Sequence, residues 1–374
     1  MPVGISINES ALSTATSDPT AIDRAYMLGT STSTTINTAV IIKDLVDFNT
    51  KFAGAPAITV ASVRSFFRNH PEGNLYFVSC KDPAVTGTAS DPAHFVYALS
   101  LLSKSTALRL GYLVIPEIVQ LADQAARTSV YAAAEGLCQK LDWIHFTNTA
   151  IASNTKDKAT TERMLYASSY GHSALYYGFK VDPEGQKVPL SVVAVAIALL
   201  AGRDNAYRPP SGARYPIQGA ASFDPYVDNI NDFEDLRVRN INVVQYIQSV
   251  KGFCLWGART LASDPKFGQI NTRVAISLIT VQMTDALTPL LFESSDPQGY
   301  TKREVIRIAI SLLESAYQAG GLSGESSERS YRIDEVEDTS GGLRRIQIKI
   351  YARFIDTLEF IEIQLINTDV IPVG

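Results

Sequence analysis

Residues 250–291 constrain the fold more than any other part of the chain. Gly252-Phe253-Cys254-Leu255-Trp256-Gly257 is an apolar run bounded by glycines. Its lack of polar alternation suits a buried strand, and a central one rather than an edge. A polar turn follows, then a long amphipathic helix in which Ile276, Ile279, Met283, Leu287 and Leu290 recur at helical spacing. Val274, Leu278 and Val281 widen that face. A stripe so broad has to be covered by a sheet or by a second helix. Trp256, among apolar neighbours, is expected in the core.

The 374 residues suffice for two domains, each with its own core. Hydrophobic content of 46% and charged content of 19% place the chain among globular proteins. A net charge of -5 and the lack of any Lys/Arg run argue against a nucleic-acid partner. Cys80, Cys138 and Cys254 are odd in number and far apart, so each is read as a buried small hydrophobe rather than half of a disulfide. The opening Met1-Pro2-Val3-Gly4 lacks the basic and apolar regions of a signal peptide. The longest apolar run, residues 192–201, is short of the ~20 residues that span a bilayer. The expectation is a soluble protein made in the cytoplasm, without a membrane partner.

At the N-terminus Val3, Ile5 and Ile7 alternate with Gly4, Ser6 and Asn8, a strand of period two ahead of a Ser/Thr-rich leash. A single strand leaves its backbone donors and acceptors unpaired, so it needs another sheet, in this chain or in a neighbour. Strand and helix signals then alternate: helix 60–67, strand 75–79, helix 93–102, strand 110–115, helix 117–140 and strand 143–146. Residues 221–240, rich in Asp, Asn and Pro, look like a linker. Thr301-Lys302-Arg303-Glu304 reads as a capping box opening a helix. Gly320-Gly321 closes that helix, and residues 331–336 form a short strand. Ile346, Ile348 and Ile350 alternate with polar residues, as do Ile361, Ile363 and Leu365, which predicts a hairpin across 355–357. The tail adds Val370, Ile371 and Val373.

Several of these segments resemble one family. Trp256-Gly257-Ala258-Arg259-Thr260-Leu261 followed by Asn271-Thr272-Arg273 is similar to the signature of contractile tail sheath proteins of myophage tails, R-type bacteriocins and related injection systems. So are Pro2 to Glu9, then Gly29-Thr30, Asn37, the run 39–42, Leu45, Phe48 and Phe52-Ala53-Gly54. Ser169, Tyr170, Ala174, Leu175, Tyr176 and Tyr177 resemble the family's Ser-x-Tyr-Ala-Ala-Leu-Tyr-Tyr segment, although Gly178 stands where a proline usually follows. Val188-Pro189-Leu190-Ser191 replaces the family's Pro-Pro-Ser-Gly helix start, while Arg203-Asp204 and Pro209-Pro210-Ser211-Gly212 fit its pattern. The resemblance runs from Pro2 to about Ile366 with its motifs in order.

The resemblance implies an α+β fold, layered as α/β, in two domains: an outer α/β domain over 26–240 and an inner sheath domain over 241–366. The inner domain's helices would pack on a mixed sheet completed by arms from neighbouring subunits, the arms being residues 1–25 and 367–374. The strand-exchange residues are then Val3, Ile5, Ile7, Ile361, Ile363, Leu365, Val370, Ile371 and Val373. Arg259 and Arg273 are the candidate contacts to a neighbour or to the inner tube, by carboxylate pairing. The competing reading makes them ordinary strand-end and helix-start arginines. Implied partners are further copies in hexameric rings, the inner tail tube protein, and baseplate and tail terminator proteins. The implied location is a virion tail or phage-tail-like particle assembled in the bacterial host cytoplasm. Both halves of the family pattern lie on one chain, unlike the two-protein sheath of type VI secretion.

Signals for chemistry are sparse. The sequence holds no phosphate-binding Gly-x-x-x-x-Gly-Lys-[Ser/Thr] and no Gly-x-Gly-x-x-Gly after a strand. His70, His94, His145 and His172 lack metal-ligand spacing. Ser153-Asn154-Thr155-Lys156 matches Ser-x-x-Lys without its partner motifs and reads as a polar loop. Asp232, Glu234 and Asp235, and likewise Glu335, Glu337 and Asp338, are read as solvated or intersubunit charges rather than acid/base pairs. No catalytic, cofactor or metal residue is assigned, and the chain is expected not to be an enzyme. Two alternatives stand beside the sheath: an α/β enzyme with an interdomain site, and a non-contractile tail or capsid component.

Overall fold

A computed structural model describes residues 21–85, 91–105, 108, 110–291, 300–336 and 346–357. Its first elements are β1 (Arg24–Gly29), β2 (Val40–Ile42), α1 (Leu45–Lys51), α2 (Ala57–Asn69) and β3 (Asn74–Ser79). Next come α3 (Pro92–Leu102), β4 (Tyr112–Val114), α4 (Gln124–Leu141), β5 (Ile144–Asn148), α5 (Lys156–Arg163) and β6 (Ser173–Tyr176). β7 (Phe179–Val181), β8 (Lys187–Pro189), α6 (Leu190–Asp204), β9 (Ser222–Asp224) and α7 (Ile230–Val238) lead to β10 (Ile241–Ile247) and β11 (Gly252–Trp256). The described chain closes with α8 (Ile270–Leu287), α9 (Tyr300–Gln318), α10 (Ser327–Ser330), β12 (Tyr331–Val336) and β13 (Gln347–Ala352).

The architecture is mixed α/β. Eight strands form one sheet in the order β11-β10-β6-β5-β4-β1-β3-β2. The six inner strands run parallel, while β2 and β11 are antiparallel to their neighbours at the two edges. β4, β5 and β6 are buried along their whole length, as expected where helices cover both faces of a parallel sheet. The two faces of β5 show this. His145 faces α4, its ring 5.7 Å from that of Tyr131, whereas Asn148 accepts the backbone N–H of Ser191 at the start of α6. α6 is apolar on every side and buried on nearly every residue, because the sheet, α2 and the β7–β8–β9 sheet enclose it.

Some elements lie where the sequence puts them. β12 spans the expected residues, and the three cysteines are free and buried. Gly320, with φ +80, ends α9: its N–H bonds Tyr317 O and that of Gly321 reaches Ala316 O at 2.8 Å.

Others are corrected. β11 is an edge strand, not a central one. Among the described residues its outer side is covered by the loop 212–217, where Gly212 N–H bonds Leu255 O and Ile217 N–H bonds Phe253 O, and Cys254 and Leu255 are buried. Trp256 lies at the far end of that edge and is 38% exposed rather than core. The helix expected over 117–140 is broken: a 3-10 turn occupies Pro116–Gln120, and Asp123 caps α4 by accepting the Ala125 N–H. Residues 221–240 contain β9 and α7 instead of a linker, since Asn229 caps α7 rather than loosening the chain. Lys156, in the Ser-x-x-Lys segment, sits in the first turn of α5 and bonds Asp232 and Asp235 of α7. Thr301 lies inside α9, not at its N-cap, and Glu304 bonds Arg307. On α8, Val274, Leu278, Ile279 and Met283 are buried, Ile276, Val281 and Leu287 are half-buried, and Leu290 falls in a separate 3-10 turn. β13 pairs with β12; its expected hairpin partner, 360–366, lies outside the described residues.

Candidate functional site: the clasp around Arg259 and Arg273

The stretch 256–269 folds back on itself before α8 begins. Gly257, at φ +112, turns the chain out of β11, and a Cβ there would stand 2.7 Å from the Asn242 amide oxygen. That closeness is used: the Asn242 side chain accepts the Arg259 N–H at 2.8 Å and donates to Arg259 O and Leu175 O, so one amide ties β10, β6 and the turn together. Arg259 is half-buried, and its guanidinium bonds Asn240 Oδ1 at 3.3 Å. The loop closes through Ile270 N–H to Ala258 O, and Thr260 Oγ1 donates to Phe267 O. It docks on the α/β body where Leu261 N–H bonds Ser173 O at 2.7 Å. Gly171, at φ +75, permits this approach, since a Cβ would lie 2.5 Å from Phe267 O.

Arg273 is wholly buried. Its guanidinium lies 3.2 Å from Asp142 Oδ1 and from Ser277 Oγ. Asp142 is the left-handed C-cap of α4, at φ 57. Arg273 therefore joins α8 to the α/β body. Arg163 performs a similar task nearer the surface, donating to the carbonyls of Tyr166, Arg239 and Leu261. Glu135 of α4 is buried beneath the clasp and accepts the hydroxyls of Ser168 and Ser173 and the Gln139 amide. Burial raises its pKa, against those hydrogen bonds and the charge of Arg273.

A second buried carboxylate lies past the C-terminal ends of the paired strands β1 and β4, from which the chain leads to opposite sides of the sheet. In open α/β sheets the crevice at such a switch point is the usual ligand site. Here Glu117 fills it, accepting the Thr30 N–H and hydroxyl at 2.7 Å and the Thr59 hydroxyl at 2.6 Å. Burial raises its pKa, and those hydrogen bonds oppose the shift. His145 is buried, which lowers its pKa to about 3. Among the described residues no group of three His, Cys, Asp or Glu side chains converges as metal ligands, and no helix is long and apolar enough to cross a membrane.

The structure thus brings Arg259 and Arg273 into one clasp, with Arg273 turned entirely inward. Val3, Ile5, Ile7, Ile361, Ile363, Leu365, Val370, Ile371 and Val373 lie outside the described residues. Sequence reading missed Asn242, Asp142 and Glu117. Their partners are between 17 and 131 residues away, so no local spacing marks them.

No family model matches the sequence, and no curated relative does. Solved structures do. The PVC sheath complex of an extracellular contractile injection system, in its contracted state, has a chain 18% identical with a TM-score of 0.72, covering 99% of this chain and 98% of that one. The contracted helical sheath of the anti-feeding prophage gives 19%, 0.72, 97% and 98%. A sheath tail protein from Listeria innocua gives 9%, 0.60, 88% and 95%. At these identities the likeness is one of fold, and it extends over nearly the whole of both chains. The chain has the fold of contractile tail sheath subunits.

Proposed function

We propose that the protein is the structural subunit of a contractile sheath, polymerising as a helical tube of stacked rings around an inner tube and shortening to drive that tube through a target envelope. The observation that carries this reading is a likeness covering 97% or more of both chains in two sheaths described as contracted. In this reading the expected arms, 1–25 and 367–374, add strands to neighbouring sheets, each main-chain hydrogen bond contributing ~0.5–1.5 kcal/mol net. The first arm ends short of its expected boundary, because Ile22 is buried in this chain's own core and Arg24 and Ala25 belong to β1. Residues 26–240 face outward and 241–366 inward. The two parts share one sheet, since β10 and β11 complete that of the preceding residues. A repeated head-to-tail contact with a screw builds a tube rather than a closed dimer. The partners are further copies of the chain, an inner tube protein, and baseplate and terminator proteins, in a tail particle assembled in a bacterial cytoplasm. Arg259, half-buried at the clasp, is the residue retained as a contact to a neighbour or to the tube.

An α/β enzyme is the weaker reading because the chain's own Glu117 occupies the switch-point crevice. Expression with the inner tube protein, followed by size exclusion and negative-stain imaging, separates the two. Long hollow tubes beside monomers, in two lengths and diameters, support the sheath. A small defined oligomer with no tubes refutes it, and tubes of one fixed length favour a non-contractile tail component.

A further inference from the structure

The first turn of α8 holds two parts of the molecule at once. Arg273 ties it to Asp142 of the α/β body. On the two preceding residues, the Thr272 hydroxyl donates to Ile355 O at 2.8 Å, and Asn271 Oδ1 accepts the Thr357 hydroxyl at 2.8 Å. Thr357 is the last described residue before the C-terminal stretch.

The opposite side of the same segment is also held. Ser323 N–H bonds Arg353 O at 2.7 Å, and Ile355 N–H bonds Gly321 O at 3.2 Å. That second support is itself fixed to the α/β body. The Asn205 amide donates to Ala319 O, and the buried Tyr207 ring packs against Gly321, where a Cβ would lie 2.7 Å from the ring. Residues 353–357 are thus gripped between two supports, and each is bonded to the body by its own contact.

The geometry points to Asn271 and Thr272 as positioning residues that clamp the root of the C-terminal segment, so that the chain through Thr357 moves with the body and its departure point is set by α8. Residues 353–357 then take no part in any bending between the body and whatever the C-terminal segment joins. The consequence for assembly rests on the sheath reading above; the clamp itself does not. A C-terminal arm leaving from a fixed root meets a neighbour at a fixed register, whereas one leaving from a loosened root samples many.

The test compares Thr272→Val, which keeps the shape and removes the donor, with Thr272→Ser, which restores the hydroxyl, and with Thr357→Val at the other bond. Hydrogen exchange on the unassembled full-length chain reads the clamp directly. Amides of 353–357 should exchange roughly tenfold faster in both valine variants, the size expected for one net hydrogen bond lost from a local opening. Those of β5 and α8 should be unchanged, and Thr272→Ser should return to the parent rate. Tubes from the valine variants should be shorter and irregular, again rescued by serine. Unchanged exchange at 353–357 overturns the clamp, and normal tubes despite faster exchange overturn its role in assembly. If the parent chain forms no tubes, the sheath reading falls, and exchange alone decides the clamp.

Discussion

Tyr26 of β1 stacks on Trp143, just before β5, with ring centroids 4.0 Å apart and planes 15° apart, although β4 lies between the two strands. Gly111, just before β4, makes this possible: a Cβ there would stand 2.5 Å from the Tyr26 ring and 3.2 Å from Arg24 O. Tyr76 extends the stack at 5.2 Å from Tyr26. Aromatic pairs of this kind contribute ~0.5–1.5 kcal/mol beyond their buried area. Gly111→Ala is therefore expected to displace Tyr26 and lower stability by ~1–3 kcal/mol, the usual cost of overpacking. With Trp256→Phe as background, Trp143 is the single tryptophan, and its emission should shift red in Gly111→Ala. An unchanged spectrum and melting temperature would sink this account.

The pair Asp142–Arg273 is sealed from solvent on both sides. Removing one charge takes from the other, still buried, the opposite charge it bonds at 3.2 Å, and losing one member of a buried pair costs ~3–5 kcal/mol. Asp142→Asn keeps a residue that tolerates the left-handed backbone and should show that loss in urea unfolding. Arg273→Met alone should be similarly costly. The double substitution should cost clearly less than the sum, because both single substitutions break the same bond. Strict additivity would mean that the pair is not coupled.

Glu117 gives a pH signature. Burial raises its folded pKa above the ordinary 4.5. Between 4.5 and that raised value the folded chain binds more protons than the unfolded one, so its contribution to stability declines as pH rises through this window. Above the window the cost of a buried carboxylate is fully present, offset by the hydrogen bonds from Thr30 and Thr59. The stability of the parent relative to Glu117→Gln should therefore rise as pH is lowered from 7 towards 4.5. Melting curves of the two proteins across that range check the sign, and a fall in place of the rise contradicts it.

Deleting residues 1–9 removes the alternating segment that carries Val3, Ile5 and Ile7. The expected product is folded, with an unchanged circular dichroism spectrum, and stays monomeric in sedimentation where the parent polymerises. Tubes of normal length from the deletion, seen by electron microscopy, would remove strand donation from the proposed assembly.

Local pattern determined a good deal of this protein. Alternation and turn residues were enough to locate β3, β12 and the glycine stop of α9, because period and backbone freedom are properties of neighbouring residues. Periodicity also found α8, and the order of short motifs pointed to the sheath fold. What only the tertiary structure decided depends on contacts between distant residues. Whether β11 is central or at an edge turns on what lies beside it, and there the loop 212–217 takes the place of a further strand, leaving Trp256 partly in solvent. Arg273 is interior because Asp142, 131 residues earlier, meets it. Glu117 closes the crevice because Thr30 and Thr59 converge on it from other elements. Periodicity reports which side of an element is apolar, while burial of a charge depends on a partner that only folding brings within hydrogen-bonding distance.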